Sequence, residues 1–144
     1  MRLTKHTDYA FRVLLYLAAR PEGQRSTANQ IATDFNISAD HITKVVQKLA
    51  RAGLINSTRG RNGGLTIRCD PNKLTLDKVV TLMETTLTPA NCLEPPCVIR
   101  GDCQLAQVLS QASDAFVNHL ANFTLEDLVQ SSGQLVTLAN QKTH

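Results

Sequence analysis

The sequence predicts a mainly α-helical fold with a small β-hairpin, namely a winged helix-turn-helix followed by a long C-terminal dimerisation helix. Three observations lead to this prediction. Two short amphipathic segments meet at a tight turn near Asn36, and a hairpin pattern rich in basic residues follows them directly. Residues 104–123 then repeat apolar side chains at helical spacing. The chain of 144 residues is long enough for one such domain with an extension.

The first helix is predicted over residues 8–20. Its apolar side chains recur with the roughly 3.6-residue period of one helical face, and they are Phe11, Leu14, Leu15 and Ala18. Thr7 is expected to cap the first turn, because a Thr oxygen accepts a free N–H there. Pro21 is expected to end the helix and to begin a loop over residues 21–26.

Residues 26–55 have the pattern of two helices joined by a turn. Thr27 is expected to cap the first helix and Ser38 the second, while Gly53 ends the second. The apolar side chains of the second helix share one face, and they are Ile42, Val45, Val46 and Leu49. Its opposite face is short or polar, which suits a helix lying in a DNA major groove.

A β-hairpin, the wing, is predicted directly after this helix pair, with strands over residues 54–58 and 65–68. Arg59 and Arg61 lie in its turn, where they can reach phosphates or a minor groove. Residues 41–69 contain six Lys or Arg and no Asp or Glu, although the whole chain has a net charge of only +3. We therefore expect double-stranded DNA to contact the following residues: Ser38, Asp40, His41, Thr43, Lys44, Lys48, Arg59 and Arg61.

The predicted organisation is a DNA-binding domain over residues 1–85, a cysteine loop over 86–103, and a dimerisation helix with a C-terminal tail over 104–144. The long helix has an apolar face that a symmetric homodimer would bury, and such a dimer presents two helices to a two-fold DNA site. Packing of this helix against its own winged domain is the alternative. The tail from Ser131 is expected to be partly frayed.

Three of the four cysteines fall within the segment NCLEPPCVIRGDC, residues 91–103, with the spacing Cys92-x4-Cys97-x5-Cys103. Thiolates select iron–sulfur clusters, zinc or copper(I). Zinc would prefer four ligands in more closely spaced pairs, so the spacing favours an iron–sulfur cluster. The fourth ligand stays open at this point. Cys69 is interpreted as a small buried residue at the end of the wing.

The compartment predicted from the sequence is the cytoplasm. No run of about 18 apolar residues exists, so we expect no contact with a membrane. The N-terminal segment reaches charged Asp8 and Arg12 too early for a signal peptide. Free thiols persist in the cytoplasm, which also favours a metal or redox site over disulfide bonds.

The sequence resembles a family of bacterial winged-helix repressors built around an iron–sulfur cluster. The resemblance covers nearly the whole chain, in MRLTKHTDYAFRVLLYLA, in ISADHITKVVQKLARAGLI, in the wing STRGRNGGL and in the three clustered cysteines. Within the family the chain is most similar to the nitric-oxide-sensing members. The cluster-assembly regulators have a slightly wider first cysteine spacing and a histidine three residues after the last cysteine, where Ala106 stands here.

The resemblance implies a homodimeric repressor that releases its operator when nitric oxide reaches the cluster. It implies a 4Fe-4S cluster held by the three cysteines and by an aspartate of the partner subunit, which corresponds to Asp8. It also implies that Arg12, one turn later, contacts the cluster loop or the helix that ends beside it. A 2Fe-2S cluster is the alternative cofactor.

Other functions remain open at this stage. A regulator of the same family could respond to iron–sulfur status or peroxide, or the cysteines could act directly as redox thiols. An electron-transfer protein is a different class, but the unopposed basic residues and the lack of a fourth clustered cysteine disfavour it. An enzyme is not expected, because the sequence has no plausible nucleophile–base pair.

Overall fold

The computed structural model describes residues 1–140. Within that range it contains seven α-helices, a short 3-10 turn over Arg100–Asp102 and one two-stranded sheet. The helices are α1 Lys5–Ala18, α2 Ala28–Phe35, α3 Ala39–Arg51, α4 Leu76–Met83, α5 Gln104–Leu120, α6 Leu125–Ser131 and α7 Gly133–Asn140. Strands β1 (Ile55–Thr58) and β2 (Gly64–Ile67) pair antiparallel. This arrangement confirms the mainly α-helical fold with a hairpin wing.

Helix α1 begins three residues before its predicted start. Thr4, not Thr7, is the N-cap residue, and its hydroxyl accepts the Thr7 N–H at 3.4 Å. Thr7 is instead completely buried. Both threonines can cap a helix, so the local pattern did not distinguish them. Asp8 therefore lies in the first turn of α1, where its carboxylate favours the positive end of the helix.

The helix-turn-helix forms as the sequence predicts. Thr27 caps α2 through a reciprocal pair of hydrogen bonds with Gln30, at 3.1 and 2.8 Å. Asn36 then adopts the left-handed conformation, with a φ of 53°, and turns the chain into α3. Ser38 occupies the N-cap position of α3, but its side chain makes no capping hydrogen bond. Gly53, with a φ of 78°, ends α3 as expected.

The apolar core lies around α1, which contacts α3, α4, α6 and β2. Tyr16 of α1 is the largest side chain that is fully buried, and its hydroxyl donates to Asp34 at 2.7 Å. Arg20 donates to the same hydroxyl at 2.8 Å. Burial raises the pKa of Tyr16, and the hydrogen bond to Asp34 raises it further. The wing and the helix-turn-helix are therefore positioned by one common core.

The chain returns to this core after α5. Thr124 and Asp127 form a capping box at the start of α6, and Leu125 is completely buried beside α1. The expectation of a frayed tail is wrong for residues 133–140, which form α7 and bury Leu135. Residues 141–144 of that predicted tail lie outside the described residues. In the described part of the chain, no helix has the length and apolar character needed to cross a membrane.

Candidate DNA interface and metal centre

Helix α3 presents most of its predicted DNA-contacting residues to solvent. The exposed ones are Ser38, Asp40, His41, Thr43 and Lys44. The hydroxyl of Thr43 donates back to the carbonyl of Ala39 at 2.8 Å, as a Thr side chain on a helix often does. Because the apolar residues of α3 are buried on the opposite side, the polar side is free to enter a groove.

Lys48 has a different environment from the rest of this set. Its side chain is half-buried, and its ammonium donates to the carbonyl of Met83 at 3.4 Å, at the end of α4. A cation there suits the negative C-terminal end of a helix. Lys48 therefore joins α3 to α4, and its contact with DNA stays a prediction.

His41, at the start of α3, contacts α1. Its ring stacks on that of Tyr9, with a distance of 6.0 Å between the ring centroids. The ring of His6 also approaches the His41 ring edge-on, with 6.1 Å between the ring centroids. The first two turns of α1 are thereby connected to the start of the helix that carries the predicted DNA contacts.

The wing turn exposes Arg59 and Arg61. Gly60 has a φ of 104°, a conformation that favours glycine. A Cβ at Gly63 would lie 2.2 Å from the carbonyl oxygen of Thr58, so a side chain cannot be accommodated there. The two glycines allow a tight turn in which Arg59 and Arg61 are both exposed to solvent.

The loop before α2 takes part in the wing, which the sequence analysis missed. Ser26 and Leu65 exchange two backbone hydrogen bonds, at 3.1 and 2.7 Å, so that Ser26 forms a single antiparallel bridge with β2. The side chain of Arg25 extends past the start of β2 into the turn of the wing, where it donates to the carbonyl of Asn62. No sequence pattern indicated these contacts, because a single bridging residue has no periodicity.

The three clustered cysteines lie between α4 and α5. Cys97 is exposed, whereas Cys92 and Cys103 are partly buried, and all are free thiols. The Cys97 N–H donates to the carbonyl of Cys92 at 3.3 Å, which folds the segment back on itself. Among residues 1–140, no three side chains of His, Cys, Asp or Glu converge closely enough to hold a metal ion.

The donor set nevertheless fits an iron–sulfur cluster. Three unpaired thiols on one surface loop are the soft ligands that such clusters use. Cys103 is the N-cap residue of α5, so it lies where the loop joins that helix. Cys69 is different, because burial raises the pKa of its thiol and it packs against the core. Cys69 is only partly buried, so its interpretation as a small buried residue is correct for its packing against the core but not for full burial.

Asp8 and Arg12 form an ion pair on the surface of α1. Their charged groups are 3.0 Å apart, and the side chains are 52% and 41% exposed, respectively. The guanidinium of Arg12 also lies over the ring of Phe35 at 5.7 Å, at the end of α2. The structure therefore places Asp8 on an accessible surface and connects it through Arg12 to the helix-turn-helix. The expected contact between Arg12 and the cluster loop stays a prediction.

Comparison with protein families gives a match over residues 3–131 to the Rrf2 model, described as an iron-dependent transcriptional regulator. The chain belongs to the Rrf2 family. Two curated relatives are named HTH-type transcriptional regulator NsrR. The one from Halalkalibacterium halodurans is 37% identical over 145 residues, which cover 99% of each chain. The one from Shouchella clausii is 36% identical over 146 residues, covering 99% of this chain and 98% of the relative.

Solved structures agree with this assignment. The oxidised form of Staphylococcus aureus CymR is 26% identical, with a TM-score of 0.72, and the match covers 90% of this chain and 96% of that one. IscR of T. potens is 18% identical, with a TM-score of 0.70 over 91% of this chain and 88% of that one, which shows a shared fold. The Rrf2 protein described here is thus a DNA-binding winged-helix regulator of transcription and not an enzyme.

Proposed function

We propose that this Rrf2 protein is a cytoplasmic, homodimeric transcriptional repressor that senses nitric oxide through a 4Fe-4S cluster. The observation that carries the proposal is the group of three free thiols on one surface loop at the start of α5. It is supported by full-length relatives named NsrR at 37% and 36% identity. Free thiols also agree with a reducing compartment.

Operator DNA would be bound by α3 and by the wing. Residues 38–44 expose five of the predicted contacts on one surface, and the wing turn adds Arg59 and Arg61. No acidic residue falls between His41 and Cys69, so the surface favours a polyanion. Side chains of α3 would contact base edges in the major groove, whereas the arginines of the wing would contact phosphates or a minor groove.

A second copy of the chain would cover α5. Leu105 and Val108 on its apolar side are 63% and 53% exposed, and Phe123 beyond its end is 39% exposed. Burial of such side chains supplies the main driving force for association. A two-fold arrangement would present two α3 helices to neighbouring major grooves of one operator.

The proposed cluster ligands are Cys92, Cys97 and Cys103, together with Asp8 of the partner subunit. When bound, a 4Fe-4S cluster would supply irons that nitric oxide can attack, and an oxygen ligand leaves one iron more reactive than a thiolate does. Within one chain, the Asp8 carboxylate pairs with Arg12, which lies over Phe35 of α2. A change in the partner of Asp8 would therefore alter contacts at the end of α2, beside the turn that leads into α3.

A regulator that responds directly to thiol oxidation or to iron–sulfur status is the alternative. The exposure of Cys97 favours direct oxidation, because accessible thiols react fastest. Ala106 disfavours the cluster-assembly type, since the histidine that the resemblance associates with it is absent. A 2Fe-2S cluster is compatible with either function.

The test is an anaerobic titration of the reconstituted protein with nitric oxide, followed by absorbance and by retention of a labelled DNA duplex. We expect a broad absorbance band of an iron–sulfur cluster that bleaches as the duplex is released. A band that does not respond to nitric oxide would favour the cluster-status regulator. If no band forms after reconstitution, the thiol-based alternative gains support and the cluster proposal is wrong.

A further inference from the structure

We propose that Arg25 is a positioning residue of the DNA interface, which holds the wing turn so that Arg59 and Arg61 face the duplex together. The wing turn comprises residues 59–63, between β1 and β2. The proposal rests on the DNA-binding function of the family, and it is tested on the reconstituted protein because the proposed function couples DNA binding to the cluster. It starts from the backbone pairing that places Arg25 beside β2.

The backbone of the segment before α2 is fixed to the wing. Ser26 is 1% exposed, and its N–H and carbonyl pair with Leu65 at 3.1 and 2.7 Å. In this antiparallel bridge the backbone of Arg25 lies on the Thr66 side of Leu65, and the Arg25 Cβ also lies next to Gly64 at the start of β2. This location depends on two ordinary backbone hydrogen bonds and not on the conformation of a long side chain.

Gly64 provides the space for the Arg25 side chain. A Cβ at position 64 would lie 2.9 Å from the Cβ of Arg25 and 3.2 Å from the carbonyl oxygen of Ser26. Its φ of 152° is also rarely adopted by residues with a side chain. A larger residue at position 64 would separate Arg25 from the wing turn, so the glycine and the arginine act as a pair.

The guanidinium of Arg25 completes the hydrogen bonding of the wing turn. The Gly63 N–H donates to the carbonyl of Gly60 at 3.0 Å, which closes the turn from within. Arg25, which is not part of the turn, donates to the carbonyl of Asn62. A planar group with several donors can hold an exposed carbonyl in one orientation. Fixing the turn before binding lowers the entropy cost of ordering Arg59 and Arg61 on DNA.

A double-mutant cycle tests this assignment. The variants are Arg25→Met, which keeps an unbranched side chain beside Gly64 but removes the donors, the pair Arg59→Ala with Arg61→Ala, and the combination of all three. Their dissociation constants are measured by fluorescence anisotropy on a duplex enriched from a random pool by the unmodified chain. We expect Arg25→Met to weaken binding roughly fivefold alone and to have no further effect when Arg59 and Arg61 are already replaced.

The matched control is Lys73→Met, which removes one exposed cation from the loop that packs beside α6. Thermal unfolding verifies that each variant is folded. If Arg25→Met weakens DNA binding by the same factor with and without Arg59 and Arg61, the proposal is overturned, because Arg25 would then contact a phosphate itself. An unchanged affinity for Arg25→Met would also overturn it. If the unmodified chain enriches no duplex, the DNA-binding function fails first and the proposal falls with it.

Discussion

The hydroxyl of Thr7 donates a hydrogen bond of 2.5 Å to Oε1 of Glu84, which joins the first turns of α1 to the residue that follows α4. The same oxygen accepts the Thr4 N–H at 2.8 Å and the Thr4 hydroxyl at 3.0 Å. Thr7 is completely buried, so its hydroxyl depends on its hydrogen bond to Glu84 and on the Thr4 hydroxyl 3.2 Å away. Glu84 thereby fixes the segment that leads into the cysteine loop to the same helical turn that carries Asp8.

Replacement of Glu84 by Ala should lower the free energy of unfolding by about 1–2 kcal/mol, because a buried Thr7 hydroxyl and a Thr4 N–H lose their acceptor. Glu84→Gln should lower it less, since the amide oxygen can still accept. Urea unfolding at about pH 7 measures both variants. Equal losses for Ala and Gln would show that the negative charge, and not the acceptor geometry, is responsible.

The contribution of Glu84 should also depend on pH. Burial raises the pKa of its carboxyl, but the hydrogen bonds from Thr7 and Thr4 and the charge of Lys48 lower it more, so it ends below its usual value of 4.5. A carboxyl whose pKa is lower in the folded state stabilises above the unfolded pKa, and this stabilisation is lost as pH falls through the folded pKa. The stability difference between the unmodified chain and Glu84→Gln should therefore narrow below about pH 4.5. A constant difference would contradict the assigned direction.

Cys97→Ala and Cys69→Ala should separate a ligand from a structural cysteine. We expect Cys97→Ala to remain folded but to lose the iron–sulfur absorbance and any dependence of DNA binding on the cluster. Cys69→Ala should keep the absorbance, because this partly buried residue packs against the core and lies outside the cysteine loop. The iron and sulfide contents are measured after anaerobic reconstitution, and retention of a labelled DNA duplex is measured in parallel. A normal cluster content in Cys97→Ala would remove this residue from the proposed ligands.

The parts of the fold that depend on neighbouring residues could be predicted from the sequence. The capping box of Thr27 and the glycines of the wing act within a few residues, so the helix-turn-helix and hairpin followed from local patterns. The start of α1 could not be predicted, because Thr7 makes its hydrogen bond with Glu84, 77 residues further along the chain. The contact between Arg25 and Asn62 spans 37 residues and was missed for the same reason. Cysteine spacing indicated the candidate ligands but not how closely the loop brings them together.

The wing arginines should contribute to DNA affinity through phosphate contacts. Arg59→Ala should weaken binding to specific and generic duplexes alike and reduce the slope of log affinity against log salt by about 0.9, the value for one released phosphate contact. Dissociation constants measured between about 50 and 200 mM salt give this slope. Lys73→Ala is the control, since this exposed lysine lies in the loop beside α6. An unaltered slope for Arg59→Ala would remove this side chain from the phosphate contacts.

The apolar side of α5 should determine the oligomeric state. Val108 is 53% exposed on that side, whereas Gln107 is an exposed polar residue on the opposite side of the helix. Val108→Glu should therefore convert the dimer to a monomer, because an unpaired carboxylate would have to be buried in the interface. Gln107→Glu adds the same charge to the opposite side of the same helix and should leave the proposed dimer intact. Sedimentation velocity at several concentrations distinguishes the two species. If Val108→Glu still forms a dimer as tightly as the unmodified chain, α5 is not the interface and two-fold operator binding would require another surface.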